Sequence, residues 1–242
     1  MIPMYRLWLL ILVTTVFQPV RAATPADDLL PSIAIIGTGN VGSALGVSWG
    51  RAGYPIIYGS RTPESKELRE LLSRSGNARA VLPHQAASHA DVIVLALPFK
   101  PALELLPKMG NLDGKLLIDP INALTFDTDQ QRVGTFDALL AEQIQALAPN
   151  AHVVKALNAV NAVNMSADRD FKGPISIPIA GDNLAAKQTV AKLIAVLDLQ
   201  AMDVGPLFNA RYIEAMAPLY VYMNYFVRPP GGFEYNLTHS KQ

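Results

Sequence analysis

One stretch constrains the fold more than any other: Ile33-Ala34-Ile35-Ile36-Gly37-Thr38-Gly39-Asn40-Val41-Gly42-Ser43-Ala44-Leu45. Four apolar residues in a row predict a strand buried on both faces, as in a parallel sheet covered by helices. Three glycines follow at G-x-G-x-x-G spacing, and a helix with apolar periodicity comes after them. Glycines so placed serve a tight turn, close approach of the backbone to a pyrophosphate, and close helix–strand packing. A helix opening near Asn40 would turn free backbone N–H groups and its positive dipole end toward phosphates. The spacing alone recurs by chance. Between a strand and a helix, it predicts a dinucleotide site built on Gly37, Gly39 and Gly42.

The second strand qualifies that site. Gly53-Tyr54-Pro55 makes a turn and Ile56-Ile57-Tyr58 predicts the strand, with Gly59-Ser60-Arg61-Thr62 at its end. An NAD site is expected to carry a carboxylate there for the ribose 2′-hydroxyl. This chain has none. Arg61 instead offers a planar donor fork for a 2′-phosphate, flanked by the hydroxyls of Ser60 and Thr62, so NADP is expected over NAD. The same segment also reads as a helix start, with Thr62 as N-cap and Pro63 at the first helical position.

The remaining pattern continues the alternation of strand and helix. Strands are expected near 78–82, 91–98, 116–119, 152–156, 175–181 and 200–204. Helices are expected near 63–75, 83–89, 101–109, 136–147, from an Asp182 cap to 197, and 208–226. This predicts an α/β fold of Rossmann type, a doubly wound, mostly parallel sheet with helices on both faces. Ligands of such sheets sit at the carboxyl ends of the strands, which makes Leu97, Pro98 and Phe99 candidates to border a nicotinamide ribose. Residues 125–134 read as an irregular polar flap, and Leu139, Leu140, Ile144 and Leu147 as the inward face of their helix. Asn158, Asn161 and Asn164 recur every third residue, either as a polar face at a helix start or as a capped turn. Lys155 is a candidate to steady an anionic acceptor. The apolar stripe of 208–226 reads as core or as a homodimer seam.

Composition closes off other chemistries. The 242 residues contain no cysteine, which excludes disulfides, thiolate metal sites and cysteine nucleophiles. Formal net charge is zero, with no basic stripe for nucleic acid. The four histidines, His84, His89, His152 and His239, show neither metal-ligand spacing nor a carboxylate partner, so no metal site and no acid–base dyad is expected. Residues 1–23 have a basic start, an apolar core at Leu7 to Val13 and a small-residue exit at Ala22, the pattern of a signal for export to a periplasmic or extracellular compartment. NADPH use would conflict with that destination, and a cytoplasmic or membrane-tethered chain is the alternative. The expected organisation is a signal at 1–23, one domain at 32–227, and an extended or disordered tail at 228–242.

Several segments occur in an order and at intervals that match a known family: IAIIGTGNVGSALG, YGSRTPES, DVIVLALPF, LLIDPIN, VVKALNAVNA, IAGDN and DVGPLFNAR. The chain resembles the NADP oxidoreductases dependent on a deazaflavin coenzyme, the family of the NADPH-dependent reductase of coenzyme F420. It is also similar to the NADPH-binding domain of the six-transmembrane metalloreductases. The resemblance implies that Thr38, Gly39, Asn40 and Val41 cradle the pyrophosphate and that Ser60, Arg61 and Thr62 hold the 2′-phosphate. It further implies that Leu97, Pro98 and Asn122 border the nicotinamide, with Ala156, Leu157 and Asn158 closing the far side. Histidine is usual in the archaeal deazaflavin enzymes where Asn158 stands, and asparagine is closer to the metalloreductase pattern.

The activity so implied is hydride transfer between NADP(H) and a deazaflavin or flavin, with no proton-moving catalytic residue required. The alternatives are an NADP(H)-binding sensor or docking subunit, a flavin-linked ferric reductase, and the related imine-reducing or β-hydroxyacid dehydrogenase type.

Overall fold

The structure, a computed structural model, describes residues 30–135, 139–166 and 169–238. The export signal read at 1–23 lies outside the described residues. Apolar runs made the parallel strands expected: β1 (Ile33–Ile36), β2 (Ile56–Gly59), β3 (Ala78–Val81), β4 (Val92–Val94), β5 (Leu116–Asp119) and β8 (His152–Lys155). They form one sheet in the order β3-β2-β1-β4-β5-β8, every neighbouring pair parallel. This is the doubly wound Rossmann arrangement, with its switch point between β1 and β4.

Alternation along β1 sends Ile33 and Ile35 into one apolar layer and Ala34 and Ile36 into the other. The first layer is covered by α1 (Asn40–Arg51), α2 (Lys66–Arg74) and α6 (Leu184–Val196). The second is covered by α3 (Pro83–Ser88), α4 (Phe99–Leu105), α5 (Leu140–Leu147) and α7 (Ala210–Tyr222). Trp49 of α1, fully buried, donates its indole N–H to the Leu193 carbonyl at 2.9 Å and so ties α1 to α6. A second small sheet pairs β9 (Ser176–Ile179) with β10 (Gln200–Asp203) in parallel. It joins the main sheet through one antiparallel bridge between Lys155 and Ala180. Among the described residues no helix is long and apolar enough to cross a membrane.

Local expectations fail at several places, each for a visible reason. Residues 124–135 are no irregular flap. They form an antiparallel hairpin, β6 (Leu124–Asp127) with β7 (Arg132–Thr135), turned over by Gln131 at φ 50°. β6 does alternate, Leu124-Thr125-Phe126-Asp127, but only over four residues, and β7 offers Val133 as its one large apolar side chain, so the signal is too brief to stand out from a polar loop.

The cap of α2 is Ser65, whose hydroxyl accepts from the Leu68 N–H at 3.2 Å, so Thr62 and Pro63 lie in the turn before it. Asn183 caps α6 by accepting from Ala186 at 2.9 Å, while Asp182 accepts from the Leu207 N–H instead. In α5 the inward residues are Leu140, Ala141 and Ile144, whereas Leu139 and Leu147 are exposed. Among the described residues 158–166 no α-helix begins. Asn161 caps a single 3-10 turn at Ala162–Asn164.

Residues 228–238 have neither helix nor strand, yet they are docked. Ser176 donates its N–H to the Tyr235 carbonyl at 2.8 Å, and the Tyr235 hydroxyl donates to the Met216 carbonyl at 2.9 Å.

Candidate functional site

The glycine loop turns between β1 and α1 against the chain leaving β4. Gly37 has φ 107°, a conformation open to glycine, and a Cβ there would lie 2.2 Å from the Ala96 carbonyl oxygen. At Gly42 a Cβ would lie 2.1 Å from the Gly37 carbonyl oxygen, so α1 closes onto the loop only without a side chain. Gly39 differs from both. Its φ is −73°, and a Cβ there would meet nothing within 4 Å. Neither backbone strain nor a protein neighbour demands glycine at 39, which leaves room beside an approaching ligand as the physical reason.

Gly39 is also the N-cap of α1, with no side-chain cap and no acidic residue in the first turn. The positive end of the helix is therefore left to whatever enters the cleft. Asn40 and Val41 supply the first two N–H groups of that helix. The Ser43 hydroxyl donates to the Thr38 carbonyl at 2.9 Å and holds the loop shut behind them.

In front of this loop lies a cleft of about 840 Å³. Gly37, Thr38 and Gly39 form its floor, Ser60, Arg61 and Thr62 one end, and Ala96, Leu97 and Pro98 the other. Arg61 is exposed on that wall, while the Ser60 hydroxyl accepts from the Thr62 N–H at 3.2 Å and shapes the turn that carries it. A smaller pocket of about 250 Å³ continues past Ser60 and Thr62 toward α2, with Arg74 on its wall beside Glu67 and Glu70. Sequence reasoning missed the outer wall, where Pro83, Pro101, Glu104, Leu105 and Lys108 face the cleft. Their presence depends on how α3 and the 3-10 turn after α4 (Leu106–Lys108) pack, and no local pattern carries that information.

Asn122, Ala156, Leu157 and Asn158 are not on the cleft wall. They follow β5 and β8, one and two strands further along the same carboxyl edge of the sheet. Ala156, Leu157 and Asn158 are buried, and Leu157 turns the chain at φ 64°. Asn122 donates its side-chain amide to the Asn158 carbonyl at 2.6 Å, and Asn158 donates its own to the Asn122 side-chain oxygen at 3.2 Å.

Beneath this pair Lys155 is fully buried. Its Nζ lies 3.0 Å from Asp119 and 3.4 Å from Glu214 and donates to the Ile121 carbonyl at 2.7 Å. This corrects the reading of Lys155 as a group for an anionic acceptor: its charge is already shared by two carboxylates and cannot reach a ligand. Glu214 in turn accepts from the N–H groups of Leu140 and Ala141 at the start of α5, at 3.3 and 3.0 Å. Burial pushes the Glu214 carboxyl above its ordinary value, against the downward pull of Lys155.

Comparison with known proteins places this fold among similar chains. Residues 32–123 match the family described as NADP oxidoreductase coenzyme F420-dependent. The chain is similar to the metalloreductase STEAP3 of Rattus norvegicus, 30% identical over 187 residues that cover 77% of this chain and 36% of that protein. It is similar to the F420-dependent NADP reductase of Methanothermobacter marburgensis, 28% identical over 206 residues that cover 79% of this chain and 92% of that one. Among solved structures, a provisional F420-dependent NADP reductase from Arthrobacter sp. FB24 superposes with a TM-score of 0.75 at 26% identity, covering 86% of this chain and all of the other. The chain thus spans about a third of the metalloreductase and nearly the whole length of the reductases.

Proposed function

We propose that this chain, whose residues 32–123 belong to the coenzyme F420-dependent NADP oxidoreductases, binds NADP(H) in the cleft at the β1–β4 switch point and exchanges hydride with a flavin or deazaflavin. The observation that carries this reading is Gly39, a helix N-cap with open space beside it and no side chain or acid to occupy the helix end.

The residues present fit the nucleotide. The N–H groups of Asn40 and Val41 would meet the pyrophosphate, and Gly39 would let it approach. Arg61, with Ser60 and Thr62, would hold a 2′-phosphate by charge-assisted hydrogen bonds. Leu97 and Pro98 present an apolar wall toward the nicotinamide end, where exclusion of water protects a hydride in transit. The bound nucleotide would supply the hydride. The chain's work in this reading is to orient and shield. The similarity to F420-dependent NADP reductases supports a deazaflavin acceptor, and the similarity to a metalloreductase supports onward delivery of electrons to a metal ion.

Calorimetric titration of the purified chain with NADPH and with NADH tests the first half. Preferential uptake of NADPH is expected, and equal uptake or none overturns the reading. Loss of nicotinamide absorbance on adding flavin mononucleotide or coenzyme F420 tests the second. Tight binding without turnover on either acceptor would make the chain a sensor.

A further inference from the structure

Three charged side chains border the cleft. Arg61 stands at the end of β2, while Glu104 and Lys108 stand on the outer wall, one helical turn apart. Among the described residues, none of the three makes an ion pair or a side-chain hydrogen bond. A glutamate four residues before a lysine is the order that pairs readily on a helix, yet these two line the cleft unpaired.

Glu104 is the odd member. The floor of the cleft is a helix N-terminus with no acid in its first turn, a place suited to phosphates. A carboxylate on the same cleft repels an anionic ligand unless it meets a hydrogen-bond donor there.

The covalent reach of a dinucleotide names that donor. With its phosphates on the glycine loop and a 2′-phosphate at Arg61, the base leaves the neighbouring ribose carbon toward the outer wall. Pro83, Pro101 and Leu105 give that wall apolar flanks for a ring, and Glu104 and Lys108 give it a polar edge. Adenine carries a donor, the 6-amino group, beside an acceptor at N1. A carboxylate and an ammonium on one helix face are its complement. Hypoxanthine reverses both groups, with a carbonyl oxygen at C6 and an N–H at N1.

We propose that Glu104 is a specificity-determining residue, accepting from the adenine 6-amino group while Lys108 donates to the ring nitrogen beside it. This rests on the dinucleotide reading and deepens it: the floor and Arg61 hold the phosphates, while the outer wall selects the base.

The test compares NADPH with deamino-NADPH, the same nucleotide with hypoxanthine in place of adenine, by calorimetry. The wild-type chain is expected to favour NADPH by about tenfold, the scale of one hydrogen bond to a charged group. Glu104→Ala is expected to bring the two affinities within about twofold of each other. Loss of one negative charge from the cleft strengthens both nucleotides alike, so only a contact with the base moves their ratio. Glu104→Gln turns either an oxygen or a nitrogen to the base, and deamino-NADPH is expected to rise to the affinity of NADPH. Lys108→Met is expected to narrow the same ratio. Weakening of both nucleotides alike in that variant assigns Lys108 to the phosphates and removes it from the proposal.

Equal uptake of the two nucleotides by the wild-type chain overturns this inference alone, as does a preference that survives Glu104→Ala. A wild-type chain that takes up neither nucleotide overturns the dinucleotide reading and this inference with it.

Discussion

Gly42 packs so closely on Gly37 that a Cβ added to it would sit 2.1 Å from the Gly37 carbonyl oxygen, whereas three residues earlier Gly39 faces open space. The two glycines therefore answer differently to the same substitution. Gly42→Ala is expected to destabilise the fold by about 1–3 kcal/mol through overpacking. Gly39→Ala is expected to cost less than about 1 kcal/mol as an N-cap change while weakening NADPH uptake by an order of magnitude or more. Thermal melts with and without NADPH separate the two effects. A Gly39→Ala protein that binds normally would show that nothing approaches the loop.

Arg61 stands exposed at the end of β2 beside two hydroxyls. Arg61→Ala is expected to lower affinity for NADPH by about 10- to 100-fold, the value of one or two charge-assisted bonds, and to leave NADH nearly unchanged. Paired titrations with the two nucleotides check this, and the preference should rise with falling ionic strength.

The two ion pairs of lysine at opposite extremes of burial should behave in opposite ways. Lys155→Met leaves Asp119 and Glu214 facing each other in the core and is expected to cost about 3–5 kcal/mol. Lys66→Ala breaks an exposed helical pair with Glu70 and is expected to cost less than about 0.5 kcal/mol. Urea unfolding of both variants decides whether the buried cluster or mere charge pairing matters.

Glu234 supplies a pH signature. One of its oxygens accepts from the Asn164 amide at 2.6 Å and from the Tyr220 hydroxyl at 2.7 Å, and Arg169 acts on it from nearby. Burial outweighs these partners and raises its pKa above the ordinary 4.5. The same burial, with Glu234 beside it, pushes the Tyr220 hydroxyl up. A carboxyl raised in the folded state takes up a proton on folding. Stability therefore increases as pH falls from the raised value toward 4.5, by at most about 1.4 kcal/mol per pH unit from this group. Glu234→Gln should flatten that rise. Urea midpoints at about pH 5 and about pH 7.5 for both proteins measure it, and parallel slopes would remove Glu234 as the source.

The doubly wound sheet and the glycine turn at its switch point were legible in the chain because their signals are local. Ile33 to Ile36 declare a strand buried on two faces, and the glycines declare what the backbone needs within six residues. Arg61, standing where an NAD site is expected to carry a carboxylate, lies on the cleft wall as its place after β2 suggests. Other features were not legible. The 124–135 hairpin alternates only over Leu124 to Asp127, too short a run to declare itself, and the caps Ser65 and Asn183 lie one to three residues from equally plausible ones.

Lys155 and Glu214 lie 59 positions apart, and neither residue's neighbourhood announces the other. Lys155 looked available to a ligand until α7 folded over it. A strand and its glycine turn are selected by the chain's own sterics and apolar pattern, so sequence alone determined them. Which charge is neutralised, and which amides bond to one another at the sheet edge, depends on long-range burial that exists only after β5, β8 and α7 have met, and the tertiary structure alone decided it.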